Sequence, residues 1–157
     1  MPTIAEAASD EARAILERFP ERRSASIPLL HLARKAYGVI SPEAMEEVSR
    51  LVGLSPAQVQ GIASFYTMLP LRARGRYHIE VCDNISCYLN GAEEIKDHLR
   101  RKLEIDIGQT TPDGRFTLDC VECLANCSRA PCMQINGKEY GPLTPQKVDE
   151  ILNSLVP

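Results

Sequence analysis

The sequence predicts an α+β fold, a small helical bundle followed by an α/β module. Three observations point there. Apolar residues recur at helical spacing as far as Tyr66, then alternate from Tyr77 onward. All six cysteines lie in the second part, between Cys82 and Cys132. The charge also divides: residues 1–75 hold 9 basic and 8 acidic side chains (net +1), and residues 76–157 hold 9 and 13 (net −4). The expected domains are therefore residues 1–72 and 73–157.

In the first module, Ile4, Ala8, Ala12, Ile15 and Phe19 form one helical stripe, stopped by Pro20. Leu29, Leu30, Leu32, Ala33, Ala36 and Tyr37 form a second, with Gly38 as its C-terminal stop. Ser41-Pro42 opens a third helix, with Met45, Val48, Leu51 and Val52 inward. Ser55-Pro56-Ala57-Gln58 opens a fourth: Ser55 caps, Pro56 suits the first turn, and Gln58 completes a capping box. Helices this short are marginal alone and must bury their stripes against other elements. Residues 67–75, with Arg72 and Arg74, read as a solvated connection.

In the second module, Tyr77, Ile79 and Val81 alternate with His78 and Glu80, which predicts a strand. Gly91–Lys102 is an amphipathic helix with Ala92, Ile95 and Leu99 on one face. Leu103, Ile105 and Ile107 alternate again, so strand, helix and strand suggest a parallel βαβ unit. A turn at Asp113-Gly114 precedes Phe116 and Leu118. Asn136-Gly137 predicts a hairpin between Met133/Ile135 and Tyr140. Thr144-Pro145 opens a last helix carrying Val148, Ile151, Leu152 and Leu155. The order β-α-β-β-β-α is compatible with a thioredoxin-like sandwich.

Composition narrows the function. A net charge of −3 argues against a nucleic-acid binder, and no apolar run approaches the ~20 residues that span a bilayer. The N-terminal stretch lacks the pattern of a secretory signal, so a cytosolic setting with reduced thiols is expected. Cys82 and Cys87 are separated by four residues, the first at a strand end and the second just before a helix. Cys120, Cys123, Cys127 and Cys132 follow in one run. Four thiolates at such spacing accommodate zinc or a [2Fe-2S] cluster. A zinc-stabilised interaction module is one alternative. A thiol oxidoreductase using Cys120-x-x-Cys123 is another, weakened because Pro131 leaves little room for the helix that would lower a thiol pKa. His31, His78 and His98 are isolated and read as satisfied or surface residues. The nine glycines form no phosphate-binding or dinucleotide motif.

The segments FYTMLPLRARGRYHIEVCDNISCYLNGAEEI and VECLANCSRAPCMQING, with the helical stretch IPLLHLARKAYGVISPEAMEEVSRLVGLSPAQVQGIASFYTM, resemble the thioredoxin-like [2Fe-2S] subunit of NADH–quinone oxidoreductase, the bacterial respiratory complex I. The resemblance covers nearly the whole chain. It implies a [2Fe-2S] cluster held by Cys82, Cys87, Cys123 and Cys127, with Cys120 and Cys132 outside the ligand pattern as free thiols. It implies electron transfer with FMN on a partner subunit that also binds NADH, so the isolated chain should not oxidise NADH. It implies a place in the respiratory chain, peripheral on the cytoplasmic side of the inner membrane, with no membrane insertion and no nucleic acid. Equivalent small subunits occur in NAD-linked formate dehydrogenases and hydrogenases. The family reads Cys-Leu-Gly where this chain has Ala125, a position where glycine would supply a positive φ. Asp83, Asp119 and Glu122 lie near ligands in sequence and would favour a low potential, nearer about −400 mV than the Rieske range.

Overall fold

The computed structural model describes residues 9–155. Ile4 and Ala8, expected on the first helical stripe, lie outside them. Contacts divide the chain into two compact units, Met1–Ala73 and Arg74–Pro157.

The first unit holds four described helices: α1 (Ser9–Glu17), α2 (Ser26–Tyr37), α3 (Pro42–Val52) and α4 (Pro56–Phe65), with a 3-10 turn at Arg22–Ala25. Their ends follow the local chemistry. Gly38 caps α2 at φ 75°. The Ser41 hydroxyl accepts from the Ala44 N–H, and Ser55 and Gln58 make both bonds of the capping box. The core collects Leu29, Leu30, Val48, Val59 and Ala63. The connection is less free than its sequence implies. Leu69 is buried in this core, the Ile40 N–H donates to the Pro70 carbonyl at 2.8 Å, and Arg34 donates to the Met68 carbonyl at 2.9 Å. The segment therefore closes the bundle before it leaves it.

The second unit is a five-stranded mixed sheet in the order β2-β3-β1-β4-β5. Its strands are β1 (Tyr77–Cys82), β2 (Gln109–Thr110), β3 (Phe116–Val121), β4 (Met133–Ile135) and β5 (Lys138–Tyr140); its helices are α5 (Ile85–Leu89), α6 (Ala92–Leu103) and α7 (Pro145–Ser154). β1 and β3 are parallel, with Ile79 opposite Leu118 and Cys82 opposite Val121. β4 runs antiparallel to β1, and β5 to β4. Side chains alternate across a strand, so one face presents Ile79, Val81, Leu118, Met133 and Ile135. These form one core with Ile95 and Leu99 of α6 and Val148, Ile151 and Leu152 of α7. Helices and a mixed sheet together make the chain α+β, as expected.

Two expectations are corrected here. Residues 103–107 are not a strand: Leu103 ends α6, and Glu104 takes φ 55°, which turns the chain out of the helix. The alternation at 103, 105 and 107 is real burial, with Ile105 buried in the core and Leu103 and Ile107 partly buried, but it is made by a loop. The parallel partner of β1 is instead β3. Cys87 precedes α6, as expected, and lies within a further short helix, α5.

The Asn136-Gly137 hairpin forms with both residues at positive φ (50° and 83°). Asn136 also accepts from the His78 N–H and donates to the Arg76 carbonyl, both at 2.9 Å, which ties the hairpin to β1.

Candidate metal centre

Three chain segments meet at one end of the sheet. β1 and β3 are parallel, so both deliver their carboxyl ends there, and β4 starts there because it runs the other way. Cys82 closes β1, and its N–H donates to the Cys132 carbonyl at 3.1 Å just before β4. The Asp83 N–H donates to the Val121 carbonyl at 2.9 Å, holding the exit of β1 against the exit of β3. Parallel strands characteristically place ligand sites at this end.

Cys82, Cys87 and Cys132 bring their sulfurs within 4.8 Å of one another. All three are buried, at 3%, 1% and 0% exposure. Ala92, Leu124 and Ala130 complete an apolar lining. Cys123 and Cys127 are exposed, outside this trio, on the loop after β3. That loop nevertheless borders the trio, because Leu124 packs against it and the Leu124 backbone hydrogen-bonds to the Cys82 sulfur. Of the four cysteines implied by the family resemblance, two are thus in the buried group and two are on the adjoining loop. Cys132, read from sequence as a free thiol outside the pattern, is the third member of the buried group. Nothing in the spacing marks it; pairing of β4 with β1 brings it in.

The donor chemistry suits a thiolate-held metal group. Burial would raise the Cys82 pKa, but backbone hydrogen bonds from Asn84 and Leu124, with the Cys87 and Cys132 thiols, bring it below the ordinary thiol value. Burial pushes Cys87 up, and the neighbouring Cys82 thiol adds to this. Burial, then Cys87, pushes Cys132 up to about 12. The Ala125 N–H donates to the Cys123 sulfur at 3.2 Å. N–H groups aimed at sulfur stabilise negative charge there and are one of the levers on an iron–sulfur potential.

Among the nearby charges, Asp83 pairs with Lys96 at 2.8 Å, and Asp119 with His78 Nε2 at 2.7 Å. Lys96 also pairs with Glu93. Burial opposes the Lys96 charge, yet Asp83 and Glu93 outweigh it and hold its pKa above the ordinary lysine value. Asp83 therefore carries its own counter-cation, which weakens its pull on the potential; the sequence does not show this pairing. His78 and His98 are partnered by Asp119 and Asp149. Cys120 lies on β3 with its pKa raised mainly by burial, the opposite of an activated thiol. Only a 3-10 turn, Cys127–Arg129, follows the Cys120-x-x-Cys123 motif before Pro131.

Ala125 takes φ 55°, the left-handed conformation that a glycine would adopt freely. A left-handed alanine costs on the order of 1–2 kcal/mol. Ala125→Gly removes that strain but loosens the unfolded chain, which offsets part of the gain by about 0.4–1 kcal/mol. The expected net is a stabilisation of up to about 1 kcal/mol with an unchanged cluster spectrum, measured by denaturant unfolding and visible absorption. A destabilised variant would contradict the left-handed assignment.

The chain matches the model of the thioredoxin-like [2Fe-2S] ferredoxin family over residues 12–156. It is 41% identical over 145 residues to an NADH-quinone oxidoreductase subunit of Rhizobium meliloti, covering 92% of this chain and 86% of that protein. It is 46% identical over 119 residues to NADH-quinone oxidoreductase subunit 2 of Thermus thermophilus, covering 76% of this chain and 66% of that protein. Among solved structures, an air-oxidised NAD+-reducing [NiFe]-hydrogenase superposes with a TM-score of 0.68 at 26% identity, over 80% of this chain and 22% of that one. With buried thiols gathered at a strand end, two more on the adjoining loop, and a family match over nearly its whole length, this chain belongs to the thioredoxin-like [2Fe-2S] ferredoxins.

Proposed function

We propose that this chain is the electron-transfer subunit of an NADH–quinone oxidoreductase, and that Cys82, Cys87, Cys123 and Cys127 hold its [2Fe-2S] cluster. The observation that carries the reading is the meeting of the buried Cys82 and Cys87 with the loop of Cys123 and Cys127 at one end of the sheet. Cys82 and Cys87 anchor from inside, and Cys123 and Cys127 close the site from the solvent side. Backbone N–H groups stabilise charge on sulfur, and Leu124, Ala92 and Ala130 keep water from the inner thiols. The cluster supplies reversible one-electron chemistry, and the protein sets its position and environment.

The partner in this reading is a subunit carrying FMN and the NADH site. Around Cys87, Ile85, Tyr88 and Leu89 of α5 are exposed and give an apolar surface for such a partner. Phe65, Met68 and Leu71 expose a further apolar surface in the first unit. In this reading residues 1–72 are a helical docking domain and residues 73–157 the cluster domain. The chain would sit on the cytoplasmic side of the membrane through its complex; no described helix is long and apolar enough to cross one. An equivalent subunit of an NAD-linked hydrogenase is the second reading, favoured by the likeness to the NAD+-reducing [NiFe]-hydrogenase.

The test is a paired reduction assay. NADH should leave the visible spectrum of the purified chain unchanged, and should bleach it once the flavin-containing partner is added. Rapid bleaching of the chain alone, with flavin contamination excluded, would overturn the division of labour. No bleaching with any NADH-oxidising flavin partner would overturn the subunit reading.

A further inference from the structure

We propose that Lys96 poises the cluster toward its reduced state, as a buried cation one helical turn behind the inner thiols. This rests on the cluster site proposed above. Ala92, at the start of α6, is fully buried and packs against Cys82, Cys87 and Cys132. Lys96 is four residues further on, in the same buried stripe as Ile95 and Leu99. Side chains at that spacing stand about 5–6 Å apart on one face of a helix. The Lys96 ammonium pairs at 2.8 Å with Asp83, the residue after Cys82. Asp83 is itself fixed to the exit of β3, its N–H donating to the Val121 carbonyl. The charge is therefore held at the end of the sheet where the thiols gather.

Burial decides how strongly this charge acts. Lys96 is 6% exposed and is the only buried lysine or arginine among the described residues. A lysine stem is long enough to carry its ammonium to water, and keeping that ammonium covered is costly unless it is paired. Its partners are less covered: the Asp83 and Glu93 side chains are 41% and 50% exposed. Solvent and salt screen exposed charges and leave buried ones to act, so Lys96 outweighs its two acids inside the protein. The Cys120 sulfur, opposite Val81 in the sheet, senses the same balance. Burial raises its pKa, and of the charges acting on it Lys96 is the strongest and favours a negative sulfur, ahead of Asp83, which opposes one. Arg100, one turn further along α6, is taken up by Asp97 and Asp106. Reduction of the cluster adds one electron and therefore one negative charge, and a fixed cation nearby stabilises that state.

The experiment is an anaerobic redox titration of the full chain, reconstituted with ferrous iron and sulfide and followed by visible circular dichroism at one pH. Iron, acid-labile sulfide and the EPR spectrum of the dithionite-reduced form are read beside it. Lys96→Met keeps the apolar stem, and the half-exposed Asp83 and Glu93 can turn to water. Its reduction equilibrium constant should fall about tenfold, a midpoint lower by about 59 mV for a one-electron couple, with iron content and EPR line shape unchanged. Lys96→Arg, always charged, should recover at least half of that shift. Glu93→Gln removes a negative charge and leaves the residues next to the ligands untouched. It should raise the equilibrium constant, by about two- to threefold because a half-exposed charge is partly screened.

The proposal is overturned if Lys96→Met keeps its iron and its midpoint together. It is overturned equally if Lys96→Met and Glu93→Gln move the midpoint in the same direction, since a disturbed fold does that and a charge does not. Should Lys96→Met fail to hold iron, Glu93→Gln carries the test alone: a raised midpoint supports the role and an unchanged one overturns it. A parent chain that takes up no iron would overturn the cluster site itself and this role with it, an outcome distinct from any shift in midpoint.

Discussion

Cys82→Ser and Cys87→Ser are each expected to leave the chain without a stable cluster, whereas Cys120→Ala should change neither iron content nor spectrum. Cys82 is pinned at the carboxyl end of β1, and its sulfur accepts backbone hydrogen bonds from Asn84 and Leu124. Cys87 is held inside α5 at 1% exposure. Serine keeps the size of the side chain but replaces a soft thiolate with a hydroxyl that iron–sulfur sites bind poorly. Cys120 points to the helix-covered face of β3, opposite Val81, and not toward the trio. The check is iron per chain after anaerobic reconstitution. Full iron in Cys82→Ser, with loss in Cys120→Ala, would move the site to the other face of the sheet.

Gly141→Ala should give the largest fold-level effect. A Cβ at Gly141 would stand 2.3 Å from the Arg129 carbonyl oxygen and 3.1 Å from the Cys132 Cβ. The neighbour is backbone, so it cannot swing aside as a long side chain would. Arg129 also donates through Nε to the Gly141 carbonyl at 2.8 Å, and it ends the turn that begins at Cys127. Pushing Arg129 away thus displaces the loop holding Cys127 and strains Cys132 together. Overpacking of this kind costs about 1–3 kcal/mol, which at this size lowers Tm by several degrees. Iron content should fall with it. Thermal unfolding followed by circular dichroism is the measurement; an unchanged Tm with full iron would contradict the close approach of residues 129 and 141.

Much of this was legible from the chain. The caps at Ser41, Ser55 and Thr144 are short-range chemistry, and each forms as its own residues dictate. The Asn136-Gly137 turn is equally local. The family glycine at position 125 left that stretch of backbone undecided in a chain with alanine there, and the alanine takes the left-handed conformation itself. What was hidden depends on long-range pairing. The burial alternation of Leu103, Ile105 and Ile107 resembles a strand because a loop crossing a core edge can have the same period. Cys132 joins Cys82 and Cys87 only because β4 folds back on β1, bringing Met133 opposite Val81. The Asp83–Lys96 pair similarly crosses from a strand exit to a helix, which no spacing rule reveals.

The central claim is that this chain carries one [2Fe-2S] cluster as its electron-transfer group. The most direct measurement is iron, acid-labile sulfide and zinc per chain on protein purified anaerobically, read with its visible spectrum. The account predicts a coloured protein with two irons, two sulfides and no stoichiometric zinc, as a [2Fe-2S] cluster requires. A colourless protein holding one zinc per chain would contradict it.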